Sequence, residues 1–337
     1  MIHKIKRVTY GRLMKKLLIR LIPENIYQAL ETAANEAERS LEGHARYILT
    51  QSVESKKNIS GGDRYQHEIT ERLNNILPTV NKFRRGSPLT PAKLAELLGH
   101  QNALSAENWF TGNEVPGFID LNNLSELLGC CAEWLKFGER VPFPMNSQSR
   151  INWKGGSTED VDALLAPDAK GNPVTFIRII RLTNFAGNIL ILREFKDTLS
   201  TDFFYTNLHL SEEIGNGGFH DLADFLVILQ ELYSRYIKGN FFVKSYDLSE
   251  NDLSLYYREG HCHPHYLIEH GCQESVWWED IWHSEMLERR GKKGYYFWEG
   301  DKALIERLHN YLVENKRLKA ADELEIDRLG LPGNNAV

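Results

Sequence analysis

Between Lys15 and Val53 the chain reads KKLLIRLIPENIYQALETAANEAERSLEGHARYILTQSV, a short apolar strand followed at once by two short amphipathic helices. The strand is the β-prone run Leu17, Leu18, Ile19, Arg20, Leu21 and Ile22. Pro23 stops it and opens a helix, because the first helical residue needs no amide donor. Ile26, Leu30, Ala33, Ala34 and Ala37 then share one helical face. Ser40 can cap a second helix, on which Leu41, Ala45, Ile48 and Leu49 repeat the pattern. One strand and two helices of about three turns cannot bury enough apolar surface alone, so this unit is expected to be a dimer whose two strands pair into one ribbon.

In these residues, IRLIPENIYQAL and ERSLEGHARYIL resemble the Arc-type ribbon-helix-helix family, in particular its plasmid-stability antitoxin branch, over residues 14–53. The resemblance implies that the paired strands enter the major groove of DNA and that the N-terminus of the second helix holds phosphate. Arg20 stands where that branch places its groove-entering arginine, and Ser40 stands at the phosphate-holding cap. Leu21 departs from the polar residue usual there, so base contact rests on Arg20. Lys4, Lys6, Arg7, Arg12, Lys15 and Lys16 precede the strand with no acid among the first sixteen residues. Such an arm favours phosphate, with Lys15 and Lys16 nearest the ribbon.

Lys56 to Asp63, KKNISGGD, reads as a linker. Beyond it Ile69, Leu73, Ile76 and Leu77 make an amphipathic helix ended by Pro78. Four more short helices fit before Phe137, one of them ending at Trp109. The passages LTPAKLAELLG, NWFTGNEVPGFIDLNNLSELLG and CCAEWLKFGE resemble the lambda-repressor-like (XRE-type) helix-turn-helix family over residues 64–140. That family reads the major groove with the helix after the turn, which points to Gln101, Asn102, Ser105 and Asn108, side chains able to bond base edges. From Gly99 to Pro116 there is no Lys or Arg, whereas Glu107 and Glu114 are present. DNA affinity comes mostly from phosphate neutralisation, so this helix should bind weakly alone, with Arg84 and Arg85 in partial compensation.

The net charge of −6 hides an asymmetry. Residues 1–60 carry 11 Lys/Arg against 6 Asp/Glu, whereas residues 146–337 carry 21 against 30. Only the first segment has the sign of a nucleic-acid surface, and the acidic remainder suits a protein partner, a small ligand or solubility. The apolar run near the start is too short for a signal peptide and contains Arg20, and no stretch approaches the ~18 apolar residues of a membrane span. Four cysteines, two of them adjacent at Cys130 and Cys131, make no secreted disulfide framework. A reduced cytoplasmic protein with no membrane association is expected.

Residues 174–182, 189–195, 203–210 and 240–246 read as strands, with helices over 219–236, 274–289 and 301–316, an α+β domain with a small antiparallel sheet covered by helices. Within it His261, Cys262, His263, His265, His270 and Cys272 crowd together. Thiolate and imidazole are what zinc requires, yet no C-x-x-C pair is present, so the tract is either a zinc site or a plain histidine cluster. No catalytic residues are assigned, no cofactor is expected other than that possible zinc, and no P-loop is present.

The fold expected is multidomain: an N-terminal ribbon-helix-helix over 1–55, a linker over 56–63, an all-α helix-turn-helix domain over 64–141, a linker over 142–156, a C-terminal α+β domain over 157–320 and a loose tail over 321–337. Two DNA-binding resemblances in series imply a sequence-specific transcriptional regulator, an autorepressor that binds a double-stranded DNA operator as a homodimer or higher oligomer. Its C-terminal domain would oligomerise, sense a ligand or bind a partner. An alternative is an antitoxin-like protein that also neutralises a toxin through the acidic C-terminal half. A third is a DNA-targeted enzyme built on the His/Cys tract.

Overall fold

A computed structural model of the protein describes residues 22–58, 61–84, 86–145, 155–184, 186–196, 200–210, 216–293, 297–298 and 301–318. The chain divides into two compact units, Met1–Tyr65 and Gln66–Val337. The first contains α1 (Glu24–Glu36) and α2 (Leu41–Asn58). Pro23 precedes α1, and its carbonyl accepts the amides of Ile26 and Tyr27 at 3.0 Å. The expected strand, Leu17 to Ile22, lies outside the described residues except for Ile22, which belongs to no element. Ala34, 1% exposed, is the buried hydrophobic residue of α1, whereas Ile26 on the same stripe is 48% exposed. The residues expected to be a linker are helical at 56–58, as the end of α2, and at 61–63, the start of the next helix.

That helix, α3 (Gly61–Phe83), runs into the second unit. Its buried stripe Ile69, Leu73, Ile76 and Val80 continues through Pro78, so the proline sits inside the helix rather than ending it. Burial of Val80 beyond the proline rewards continuing the helix past the missing hydrogen bond. Four short helices follow: α4 (Pro91–Leu97), α5 (Leu104–Thr111), α6 (Phe118–Leu128) and α7 (Ala132–Phe137). Leu94, Trp109, Leu121, Leu124, Leu128 and Leu135 are buried.

The remainder is α+β. After α8 (Thr158–Leu165), whose Ser157 and Asp160 form a capping box, come β1 (Val174–Leu182), β2 (Asn188–Phe195) and β3 (Thr201–His209). Next are α9 (Asn216–Tyr236), β4 (Phe242–Leu248), α10 (Glu250–Tyr257), a 3-10 turn at Arg258–Gly260, α11 (Pro264–His270) and β5 (Gln273–Ser275). α12 (Trp277–Asp280), α13 (Ser284–Lys293) and α14 (Asp301–Glu314) complete the chain.

The sheet has the order β3-β2-β1-β4-β5. β1 pairs antiparallel with β2 but parallel with β4, so the sheet is mixed rather than antiparallel. The physical reason is α9, which carries the chain from the β3 edge back across one face and so brings β4 in alongside β1 in the same direction. One face packs Ile177, Ile179, Ile189 and Ile191 against α8, α9, α12 and α14. The other packs Ile180, Leu190, Leu192 and Tyr246 against Tyr257 of α10 and Leu267 of α11. Both faces being covered, β1 is buried nearly throughout, as a central strand with a parallel neighbour should be. The single helix expected over 274–289 is instead β5, α12 and the start of α13, because Gln273–Ser275 completes the sheet beside β4.

Candidate nucleic-acid interface

α4 opens on Thr90, whose hydroxyl accepts the Lys93 amide at 3.2 Å, with Pro91 at its first position. The turn that follows closes through His100 N to Ala95 O at 2.9 Å. Asn102 Oδ1 then accepts the Leu104 amide at 2.9 Å, satisfying one of the free donors that begin α5. Gln101 and Asn102 therefore stand exposed on the bend ahead of α5, while Ser105 and Asn108 lie half-buried along it. Ala106, Trp109 and Phe110 form the buried side of the helix.

What holds α5 is a polar ladder on α3. Gln66 Nε2 donates to Gly112 O at 2.6 Å, Thr70 Oγ1 to Trp109 O at 3.1 Å, and Asn74 Nδ2 to Phe110 O at 2.8 Å. These side chains satisfy carbonyls that the end of a helix leaves without partners. Gly112 closes the helix with φ 74°, a left-handed conformation that side chains rarely adopt. On the other side His100 Nε2 lies 3.2 Å from Asp120 Oδ1 of α6, and its ring meets Trp109 edge-on at 5.3 Å. Gln66, Thr70 and Asn74 were not among the residues expected to matter. Their spacing of four residues beside the Ile69 and Leu73 stripe was the available signal.

The electrostatics of α5 match the expectation from its composition. Glu107 and Glu114 are exposed, and Asn108 Nδ2 reaches Glu114 Oε2 only at 3.5 Å. Arg84 is half-buried and its Nε donates to Ser87 O at 3.1 Å. Arg85 lies outside the described residues, as do Lys15, Lys16 and Arg20.

In the first unit Ser40 is exposed and its Oγ accepts the Gly43 amide at 3.2 Å, so it does cap α2. Arg39 lies 3.8 Å over the Tyr47 ring, and Arg46 pairs with Glu42 at 2.7 Å. The start of α2 thus carries the Arg39 guanidinium close by and the acidic Glu42 in its first turn.

The structure does not gather the six His/Cys residues. His263 is 1% exposed, its Nδ1 accepts the His265 amide at 3.2 Å, and its ring stacks on His265 and on Phe83 of α3. Phe143 meets His263 edge-on at 4.7 Å. His265 Nε2 lies 2.7 Å from Glu194 Oε1 of β2, and Glu194 pairs with the Arg178 guanidinium. His270 packs on Tyr266, while His261 is exposed and Cys262 half-buried. Burial pushes the Cys272 thiol up to about 12, so it stays protonated at neutral pH. Among the described residues no group of three or more His, Cys, Asp or Glu is placed to hold a metal ion. The tract instead packs the end of α3 against the sheet, and Lys82 adds a contact to Glu269 at 3.8 Å.

No family model, no curated protein and no solved structure matches this chain.

Proposed function

We propose that the protein is a sequence-specific regulator of transcription that binds a double-stranded DNA operator as a homodimer in the cytoplasm and represses its own or a neighbouring operon. The observation that carries this reading is α4, its turn and α5, with Gln101, Asn102, Ser105 and Asn108 along the leading side and the far end of α5 fastened to α3. A helix held at this rigidity can present amides and a hydroxyl to base edges in one register. It supplies few charges of its own, so phosphate neutralisation falls to the basic arm with Lys15 and Lys16, to Arg20 and to the Ser40 cap of α2. Two linked readers raise the effective concentration of the second once the first is bound, which lets a weak α5 add specificity. Ile22, Ile26, Tyr27, Tyr47, Ile48 and Leu49 are exposed on the first unit, in keeping with a second copy covering them. Among the described residues no helix is long and apolar enough to cross a membrane.

The acidic balance of residues 146–337 favours one second reading, in which the same DNA binding is joined to neutralisation of a basic partner protein, as in antitoxins. Fluorescence anisotropy on a labelled fragment from upstream of the gene, with nonspecific competitor and a salt series, tests the first reading. Wild type should bind with a steep salt slope, Arg20→Ala should lose the preference for that fragment, and Asn102→Ala should weaken it at a subset of positions. Equal affinity for the upstream fragment and for random DNA would sink the operator reading.

A further inference from the structure

A cleft of about 370 Å³ opens between the helical half and the sheet of the second unit, within the range of roughly 300–1,000 Å³ that small-ligand sites occupy. Its apolar wall is Leu89, Leu97, Leu127 and Phe195. Leu97 is 55% exposed and Leu127 half-buried, whereas Leu89 and Phe195 are buried at the back of the cleft. Across the cleft Lys170 Nζ pairs with Glu126 Oε2 at 2.5 Å, tying the turn before β1 to α6. Three of the four remaining charged groups in the lining are also occupied. Arg193 holds Asp202 at 2.5 Å, and Asp168 accepts the amides of Lys170 and Asn172 and the Asn172 side chain. Arg84 is the exception: its Nε bonds the Ser87 carbonyl, and among the described residues it has no carboxylate partner.

We propose that this cleft binds a small monocarboxylate with a short apolar body, its carboxylate on the Arg84 guanidinium and its chain along Leu89, Leu97, Leu127 and Phe195. A planar guanidinium takes a carboxylate at two points, which selects an acid over an amide or alcohol of the same shape. Glu126, Asp168 and Asp202 border the same space, so a dianionic phosphate meets more repulsion there than a single carboxylate on Arg84 does. The site is independent of whether α5 reads DNA.

Isothermal titration of the full chain with hexanoate, and with hexanamide as the uncharged match, tests it. Hexanoate should give saturable heat, with hexanamide and the Arg84→Gln variant each about tenfold weaker, the expected loss of a charge-assisted bond. Leu127→Trp, which fills the apolar floor, should abolish hexanoate binding, and it decides the matter if circular dichroism shows Arg84→Gln to be misfolded. Absence of saturable heat with wild type, equal binding of hexanoate and hexanamide, or unchanged hexanoate affinity in a folded variant overturns the proposal.

Discussion

Arg193 on β2 grips Asp202 on β3 through Nη2 and Nε, both donating to Oδ2, at 2.5 and 3.2 Å. The two residues are register partners, and both are buried. The remaining amine, Nη1, donates to the carbonyls of Ala163, Leu164 and Ala166 at the end of α8, so one side chain ties a helix to two strands. Removing the acid leaves a buried guanidinium without its counter-charge. Asp202→Ala is expected to cost about 3–5 kcal/mol in urea unfolding, since breaking one side of a buried pair exceeds what the intact pair contributes. A loss below about 1 kcal/mol would mean that the α8 carbonyls alone satisfy Arg193.

The ladder from α3 to the end of α5 predicts a different kind of defect. Thr70→Val removes one side chain to carbonyl bond and Asn74→Ala removes two, to Phe110 O and to Thr70 O within α3, for about 1 kcal/mol of stability per bond. If α5 reads DNA, the double variant should remain folded yet discriminate less between operator and mutated operator, because the helix is no longer held in one orientation. Anisotropy with both fragments measures it, and unchanged discrimination would show that α5 is held by its buried face alone.

Alkaline stability should be governed by buried acids that the fold keeps neutral. Burial pushes the Cys272 thiol up to about 12, and burial also raises Cys130 and Tyr257, whose hydroxyl donates to the Phe143 carbonyl. A group whose folded pKa is raised binds its proton more tightly when folded. Its contribution is therefore complete below the unfolded value, about 8.5 for a thiol, and is lost as pH rises toward the folded one. Stability should fall from about pH 8.5 upward through the two thiols and from about pH 10 upward through Tyr257, by up to ~1.4 kcal/mol per pH unit for each group. Cys272→Ala should flatten that slope in denaturant titrations, and an equal slope in both proteins would count against it.

Gly187 closes the β1–β2 connection at φ 60°, and a Cβ there would lie 2.3 Å from the Leu210 carbonyl oxygen. That atom is backbone and cannot swing away, and the Leu210 amide donates to Gly187 O at 2.9 Å in the same contact. Gly187→Ala is expected to lower stability by more than the ~1 kcal/mol of left-handed strain alone, because the end of β3 must shift as well. Thermal unfolding that matches wild type within about 0.5 kcal/mol would contradict this.

Periodicity made the helices of the first 140 residues legible, as well as strands β1 to β4, since runs such as Val174–Leu182 have one dominant conformation whatever surrounds them. β5, α10 and α11 were not legible. Gln273–Ser275 is a strand only because β4 offers it an edge, and α11 is short enough that contacts decide its existence. The base-edge residues Gln101, Asn102, Ser105 and Asn108 could be named from the chain alone, but their support by Gln66, Thr70 and Asn74 could not. Those bonds join residues more than 30 positions apart.

The linear chain settled local matters: where Pro23 and Ser40 open helices, which stripes are apolar, and where charge of each sign is concentrated. Those depend on backbone sterics and on side chains a few positions apart. Two larger questions were decided by packing. The parallel pairing of β1 with β4 follows from the crossover through α9, and the rings of His263 and His265 are placed by stacking on each other and on Phe83, a residue about 180 positions away in the chain. Proximity in sequence is not proximity of donor atoms, and only long-range burial determines where an imidazole finally points.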